Sequence, residues 1–176
     1  MKKRTTMLAL LLATGAGTCL QAQEKLTQFK VRDAITVRTP IMNDSINPKG
    51  EKYADKDLLK TPVVLDLADA PFQVLSTDTA GVLSFPKAEK DHSIYLLETS
   101  LRAERFMTGK LKVTSPARWE IFINGESKMS KENAEDSISG ASTREVNLRL
   151  EPEADYEITI KLLSGSKDKA VPTLKC

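Results

Sequence analysis

Residues 118–130, RWEIFINGESKMS, decide the fold. Trp119, Ile121 and Ile123 alternate with Arg118, Glu120 and Phe122, the two-residue period of a strand with one face turned to a core. Asn124-Gly125 follows. A two-residue type I′ turn needs positive φ at both central positions, and Asn followed by Gly meets that need at least cost. Glu126 to Ser130 then reads as a returning strand, so the stretch is a β-hairpin with Trp119, Ile121 and Ile123 on one face and Phe122 on the other.

The same period recurs outward from the hairpin. Leu111 and Val113 alternate with lysines before it; Val146, Leu148 and Leu150, then Tyr156, Ile158, Ile160 and Leu162, alternate with polar residues after it. Ile94-Tyr95-Leu96-Leu97 is a continuous apolar run, as expected of a strand covered on both faces. Upstream, Val63, Leu65 and Leu67 suggest another strand. Pro71 and Pro86 bracket a segment from Phe72 to Phe85 with a turn at Gly81. Phe29, Val31, Ile35 and Val37 suggest a strand broken at Arg32-Asp33. Thr108-Gly109, Ser115-Pro116 and Ser164-Gly165 read as turns between runs. Two short helical turns are expected, one over Ala54–Leu59 and one capped by Ser130 over residues 131–136. This pattern predicts an all-β fold, an antiparallel β-sandwich of jelly-roll kind, with one or two short helical turns.

The first 22 residues are read separately. Lys2, Lys3 and Arg4 precede an apolar stretch too short to span a bilayer, and Leu20-Gln21-Ala22 offers a small residue for cleavage. This is the pattern of a secretory signal; the rival reading makes Cys19 a lipidated residue. The leader holds three of the 26 basic residues and none of the 24 acids, so the mature chain carries 23 against 24, a net charge of −1. Its signs are interspersed, which gives no electrostatic footprint for nucleic acid. The expected organisation is a signal at 1–22, an arm or edge strand at 23–60, a sandwich at 61–165, and a linker or the start of a further domain at 166–176. The chain is expected to continue beyond Cys176, its last thiol, whose surrounding sequence reads as the start of a linker or strand. With Cys19 gone, no internal disulfide can form. Export to the periplasm or cell envelope of a Gram-negative bacterium is expected, with no transmembrane span in the mature chain.

No residue pattern points to catalysis. His92 is the single histidine. Asp91-His92-Ser93 are contiguous, which is not how triad members meet in space, and no G-x-S-x-G elbow is present. His92 is therefore read as a surface-loop residue. One His and one Cys cannot build a structural zinc site. Asp55/Asp57 and Glu132/Glu135/Asp136 are the acidic groups nearest to a calcium set, and read as solvated acids. No cofactor is expected. The candidate ligand contacts are Trp119, Phe122 and Asn124, with Trp119 weighed chiefly as a core residue because Ile121 and Ile123 share its face.

Residues 109–125, GKLKVTSPARWEIFING, resemble a pair of strands in galactose-binding-like jelly-roll domains of secreted glycosidases and related hydrolases. Residues 149–161, RLEPEADYEITIK, are similar to the closing strands of such domains. The resemblance covers residues 93–163, about half of the mature chain. It implies a non-catalytic accessory domain that packs on a catalytic domain or binds ligand. The chain as a whole also resembles the N-terminal region of exported prolyl oligopeptidase-type serine peptidases, which implies a downstream catalytic domain as partner; no catalytic residue of that family lies in this sequence. The alternatives are a free-standing carbohydrate-binding module and an envelope interaction protein.

Overall fold

The computed structural model describes residues 26–37, 46, 49–63, 71–89 and 91–176. The leader, Cys19 and residues 64–67 of the expected upstream strand lie outside them. Among the described residues, eleven strands and one short helix follow in order: β1 (Gln28–Arg32), β2 (Ile35–Val37), α1 (Asp55–Leu59), β3 (Phe72–Ser76), β4 (Val82–Ser84), β5 (His92–Arg102), β6 (Met107–Thr114), β7 (Arg118–Ile123), β8 (Glu126–Lys131), β9 (Thr143–Leu150), β10 (Asp155–Gly165) and β11 (Thr173–Lys175).

These strands form two antiparallel sheets, a β-sandwich. The large sheet runs β3-β1-β5-β10-β7-β8, with β2 also paired to β5; the small sheet runs β4-β11-β6-β9. From β3 onward the chain crosses repeatedly between the sheets, which is why neighbours within a sheet are rarely consecutive in sequence. β5 and β10 form the spine, paired from Asp155↔Arg102 through Gly165↔His92.

Alternation explains which residues meet. Tyr95, Leu97, Trp119, Ile121, Ile158, Ile160 and Leu162 face the small sheet, where Leu83, Leu111, Val113, Val146 and Leu174 close the main core. The opposite face of β5 and β10 presents Ile94, Leu96 and Leu163. There α1 lays Leu58 and Leu59, with Ile35, Val37 and Val63 alongside. The apolar run at residues 94–97 is thus buried on both faces, as its lack of alternation implies.

The hairpin turn has the expected geometry. Asn124 and Gly125 hold φ of 50° and 76°. Asn124 does more than turn the chain: its N–H donates to the Glu157 carbonyl at 2.9 Å, and its Oδ1 accepts the Glu157 N–H at 2.8 Å. A Cβ at Gly125 would meet nothing within 4 Å, so the cost of a substitution there is conformational, not steric. Gly125→Val is expected to lower stability by about 1–3 kcal/mol. Gly125→Asn is expected to cost clearly less, because Asn tolerates this region. Urea unfolding of the two variants checks the ordering.

Three local expectations are corrected. Residues 131–136 form no helix: Lys131 closes β8 opposite Trp119, and the Glu135 N–H donates at 2.7 Å to the Pro116 carbonyl. The Lys131 ammonium reaches the carbonyls of Ser115 (2.7 Å) and Ala117 (3.3 Å) and the Glu135 carboxylate (2.8 Å). These tertiary bonds outweigh the local helical signal. Thr108-Gly109 is not a turn but lies inside β6, with Gly109 opposite Leu148. Ser164-Gly165 lies at the end of β10.

The last residues are also sheet. Thr173–Lys175 pairs with β4, and Cys176 packs against the main core. Burial pushes its thiol up to about 12 from an ordinary value of 9.0. The unfolded thiol therefore ionises first. Its contribution is fully present below about pH 9 and is lost as pH rises toward about 12, at about 1.4 kcal/mol per unit. Wild type is expected to lose stability relative to Cys176→Ala over that window. Urea midpoints collected in parallel at rising pH test this.

Candidate functional site

β1 and β5 part company at one end of the large sheet. They share only the rungs Lys30↔Glu98 and Val31↔Leu97, whereas β1 pairs with β3 along its whole length. Beyond Glu98 the β5 edge at Thr99–Leu101 is left without a pairing strand on the β1 side among the described residues. The gap is an open cleft of about 930 Å³. Its walls are β1 with the two residues before it, β5, the start of β10, Val74 of β3 and the tip of the β7–β8 hairpin.

The lining is about half polar and half apolar, the apolar part coming from Leu26, Phe29, Val74 and Leu101. Gln28 and Asn124 supply amides, Thr27, Thr99 and Ser100 supply hydroxyls, and Glu98, Asp155 and Glu157 supply carboxylates. Lys30 is the one cation of the lining, and its ammonium sits 2.8 Å from Glu98. Val74, 62% exposed, and Phe72, 43% exposed, give an apolar strip on the neighbouring edge strand, with the Lys30 ammonium 5.6 Å from the Phe72 ring centre. Amides, hydroxyls and carboxylates on one concave surface can hold a polyhydroxylated ligand in several directions at once.

The candidate contacts named from sequence separate in space. Trp119 is fully buried in the main core, so no ring face is open to a ligand. Phe122 is half-buried on the opposite face of β7, opposite Thr159 and Ser127, and does not line the cleft. Asn124 does line it. Residues 26–30 and 98–101 carried no sequence signal for a site, because the cleft depends on where the β1–β5 ladder stops.

His92 is not on a surface loop. It opens β5, its side chain largely buried, with Nε2 3.1 Å from Asp55 Oδ1. Asp55 also receives Arg118 Nη2 at 2.8 Å, and Arg118 Nη1 lies 3.0 Å from Asp168. Asp168 in turn accepts the Gly165 N–H at 2.7 Å. No nucleophile is placed beside His92 in this network; it fastens α1 and the β10–β11 connection to the sheet. Two more buried cations are structural in the same way. Burial lowers the Lys131 and Lys161 ammonium groups from their ordinary value. Lys161 donates to the Thr61 carbonyl, which ties the residues after α1 to β10. Among the described residues, no three His, Cys, Asp or Glu side chains converge as a metal site, and no helix is long and apolar enough to cross a membrane.

No family model matches the chain, and no curated protein matches it in sequence. Solved structures offer distant likenesses. A β-glucosidase from Kluyveromyces marxianus, in complex with glucose, is 12% identical with a TM-score of 0.46, covering 85% of this chain and 15% of that one. The PA14 domain of the MpAFP antifreeze protein is 11% identical at a TM-score of 0.41, covering 84% and 77%. A PA14 sugar-binding domain from an RTX adhesin is 10% identical at 0.40, covering 84% and 85%. The chain thus spans about 15% of the length of the glucosidase. At these levels the likenesses assign neither family nor ligand.

Proposed function

We propose that the chain is a non-catalytic, carbohydrate-binding β-sandwich domain of an exported protein, and that the cleft between β1 and β5 is its binding surface. The observation that carries this reading is the lining itself. Amides, hydroxyls and carboxylates converge on an open concavity, whereas His92, the one histidine, is engaged with Asp55 at the far end of β5. Such a lining can make many directional hydrogen bonds but offers no activated nucleophile. The basic and apolar pattern of the first 22 residues supports export. The sequence resemblance supports an accessory role in a secreted hydrolase, with a serine peptidase as the parent of choice. Trp119 and Phe122 are not contacts in this reading; Asn124 is.

Backbone amide shifts under titration with a panel of oligosaccharides test the binding reading. Shifts gathered at Thr27, Ser100, Asn124 and Glu157 are expected with at least one glycan. Shifts scattered over the surface, or none with any glycan, would remove it. Intrinsic fluorescence is a poor reporter here, since Trp119 is fully buried in the main core and does not line the cleft. The parent is tested separately by the reading frame after Cys176. A propeller and an α/β-hydrolase domain encoded there would support the peptidase assignment, and a stop codon would sink it.

A further inference from the structure

We infer that residues 60–63, the segment after α1, form a strap that lifts from the large sheet as a local unit, and that its lifting lengthens the cleft along β10 by uncovering Lys161. The motion stands on its own geometry; its use in holding a ligand rests on the carbohydrate reading above. The outward-facing residues of β10 run in one column from the cleft to α1: Asp155, Glu157, Thr159, Lys161 and Leu163. Asp155 and Glu157 line the cleft, and Leu163 packs with Leu58 and Leu59 of α1. Between them Thr159 is fully buried and Lys161 nearly so, which makes the covered part of the column polar where it meets the cleft. Glu98 of the cleft wall stands opposite Thr159 in register, and the Thr159 hydroxyl donates to the Glu157 carboxylate at 3.3 Å. Cleft and covered column are therefore one continuous surface.

A cover that stays closed is most stable over apolar residues. This one lies over an ammonium with three donors, of which only the one to the Thr61 carbonyl finds an acceptor among the described residues. Glu120, opposite Lys161 on β7, is turned to the Ser127 hydroxyl at 2.7 Å and attracts the ammonium without forming an ion pair with it. Leu96, opposite on β5, brings no polar side chain. The strap itself is lightly attached. α1 is fastened by Asp55, Leu58 and Leu59. Residues 60–63 add to this the one bond to Lys161, an exposed Lys60–Glu132 contact at 3.6 Å and the half-buried Val63. Segments with so few buried contacts open without unfolding the sheet beneath them. Lifting gives Lys161 its missing partners in water and breaks little else. A saccharide that reaches past Glu157 to Thr159 and Lys161 binds the lifted form alone and draws the population toward it.

Lysine acetylation and amide hydrogen exchange on the full chain, both read by mass spectrometry, test the motion without any ligand. Protection of Lys161 against acetylation is expected to be at least about tenfold below the protection of the β10 amides against exchange. Equal protection would mean that Lys161 is reached only by global unfolding; it would overturn the inference and leave the carbohydrate reading standing. The ligand half is tested with disaccharides and hexasaccharides of glucose, galactose, N-acetylglucosamine and glucuronate. At least one hexasaccharide is expected to bind about tenfold tighter than its disaccharide and to raise exchange at Thr61 and Val63, a rise that a merely structural segment would not show. Lys161→Met puts an apolar side chain under the strap. It is expected to slow exchange at Thr61 and Val63 and to remove the gain from disaccharide to hexasaccharide, while disaccharide binding stays. Hexasaccharide binding without a rise in exchange at Thr61 and Val63 would overturn the inference alone. Binding of no saccharide would overturn the carbohydrate reading and the lengthened cleft together.

Discussion

Trp119→Ala is expected to remove about 3–5 kcal/mol of stability, the range for emptying a fully buried aromatic site. Trp119 sits in the middle of the main core, between Leu162 of β10 and Lys131 of β8 in register. Its neighbours Ile121 and Leu162 are themselves fully buried in paired strands and cannot collapse into the space. A domain of ordinary stability holds only about 5–15 kcal/mol, so this one change should take a large part of it. Trp119→Phe separates volume from polarity. The indole Nε1 has no hydrogen-bond partner, and a buried orphan donor costs about 1–3 kcal/mol. Phenylalanine loses part of the ring but also removes that orphan, so it is expected to cost well under half of the alanine change. Urea unfolding followed by far-ultraviolet circular dichroism measures both. An alanine variant within about 1 kcal/mol of wild type would mean that the site is not the packed centre described here.

What the sequence disclosed, and what it hid, divide along the same physical line. Trp119, Ile121 and Ile123 announced their face because strand periodicity is local. Ile94 to Leu97 announced two covered faces for the same reason, and Asn124-Gly125 announced its turn because positive φ is a property of the residues themselves. Lys161 was hidden. It alternates with Ile160 and Leu162 and so reads as solvent-facing, yet it is 3% exposed, because the chain after α1 folds over that face. Lys131 was hidden likewise, and the helix expected over 131–136 failed to form because its residues bond to Ser115, Pro116 and Ala117 in the distant β6–β7 connection. The cleft was the least legible feature of all. It exists because the β1–β5 ladder ends after two rungs, a fact about pairing between residues some 68 positions apart. Of the three candidate contacts, only Asn124 reached it, and its turn chemistry, not any ligand chemistry, had drawn attention to it.

Arg118→Met is expected to cost about 3 kcal/mol, at the low end of the range for breaking a buried ion pair by removing one partner. The side chain of Arg118 is 12% exposed, and its guanidinium lies between two carboxylates from different parts of the chain, Asp55 of α1 and Asp168 after β10. Asp168 is 11% exposed, and without Arg118 it keeps only the Gly165 N–H as a partner, a charge left in a low-dielectric site. Asp55 is 40% exposed and retains His92, so its share of the loss is screened by solvent. The asymmetry gives the test its form. Asp168→Asn in the Arg118→Met background removes the stranded charge and is expected to recover at least about 1 kcal/mol, which a double-mutant cycle reads directly. Asp55→Asn in the same background is expected to recover less. Arg118→Lys should fall between wild type and Met, because a single ammonium cannot fork to both acids as the planar guanidinium does. A loss within about 0.5 kcal/mol for Arg118→Met would place the network among surface pairs that contribute nothing measurable, and α1 would then be held to the sheet chiefly by burial of Leu58 and Leu59.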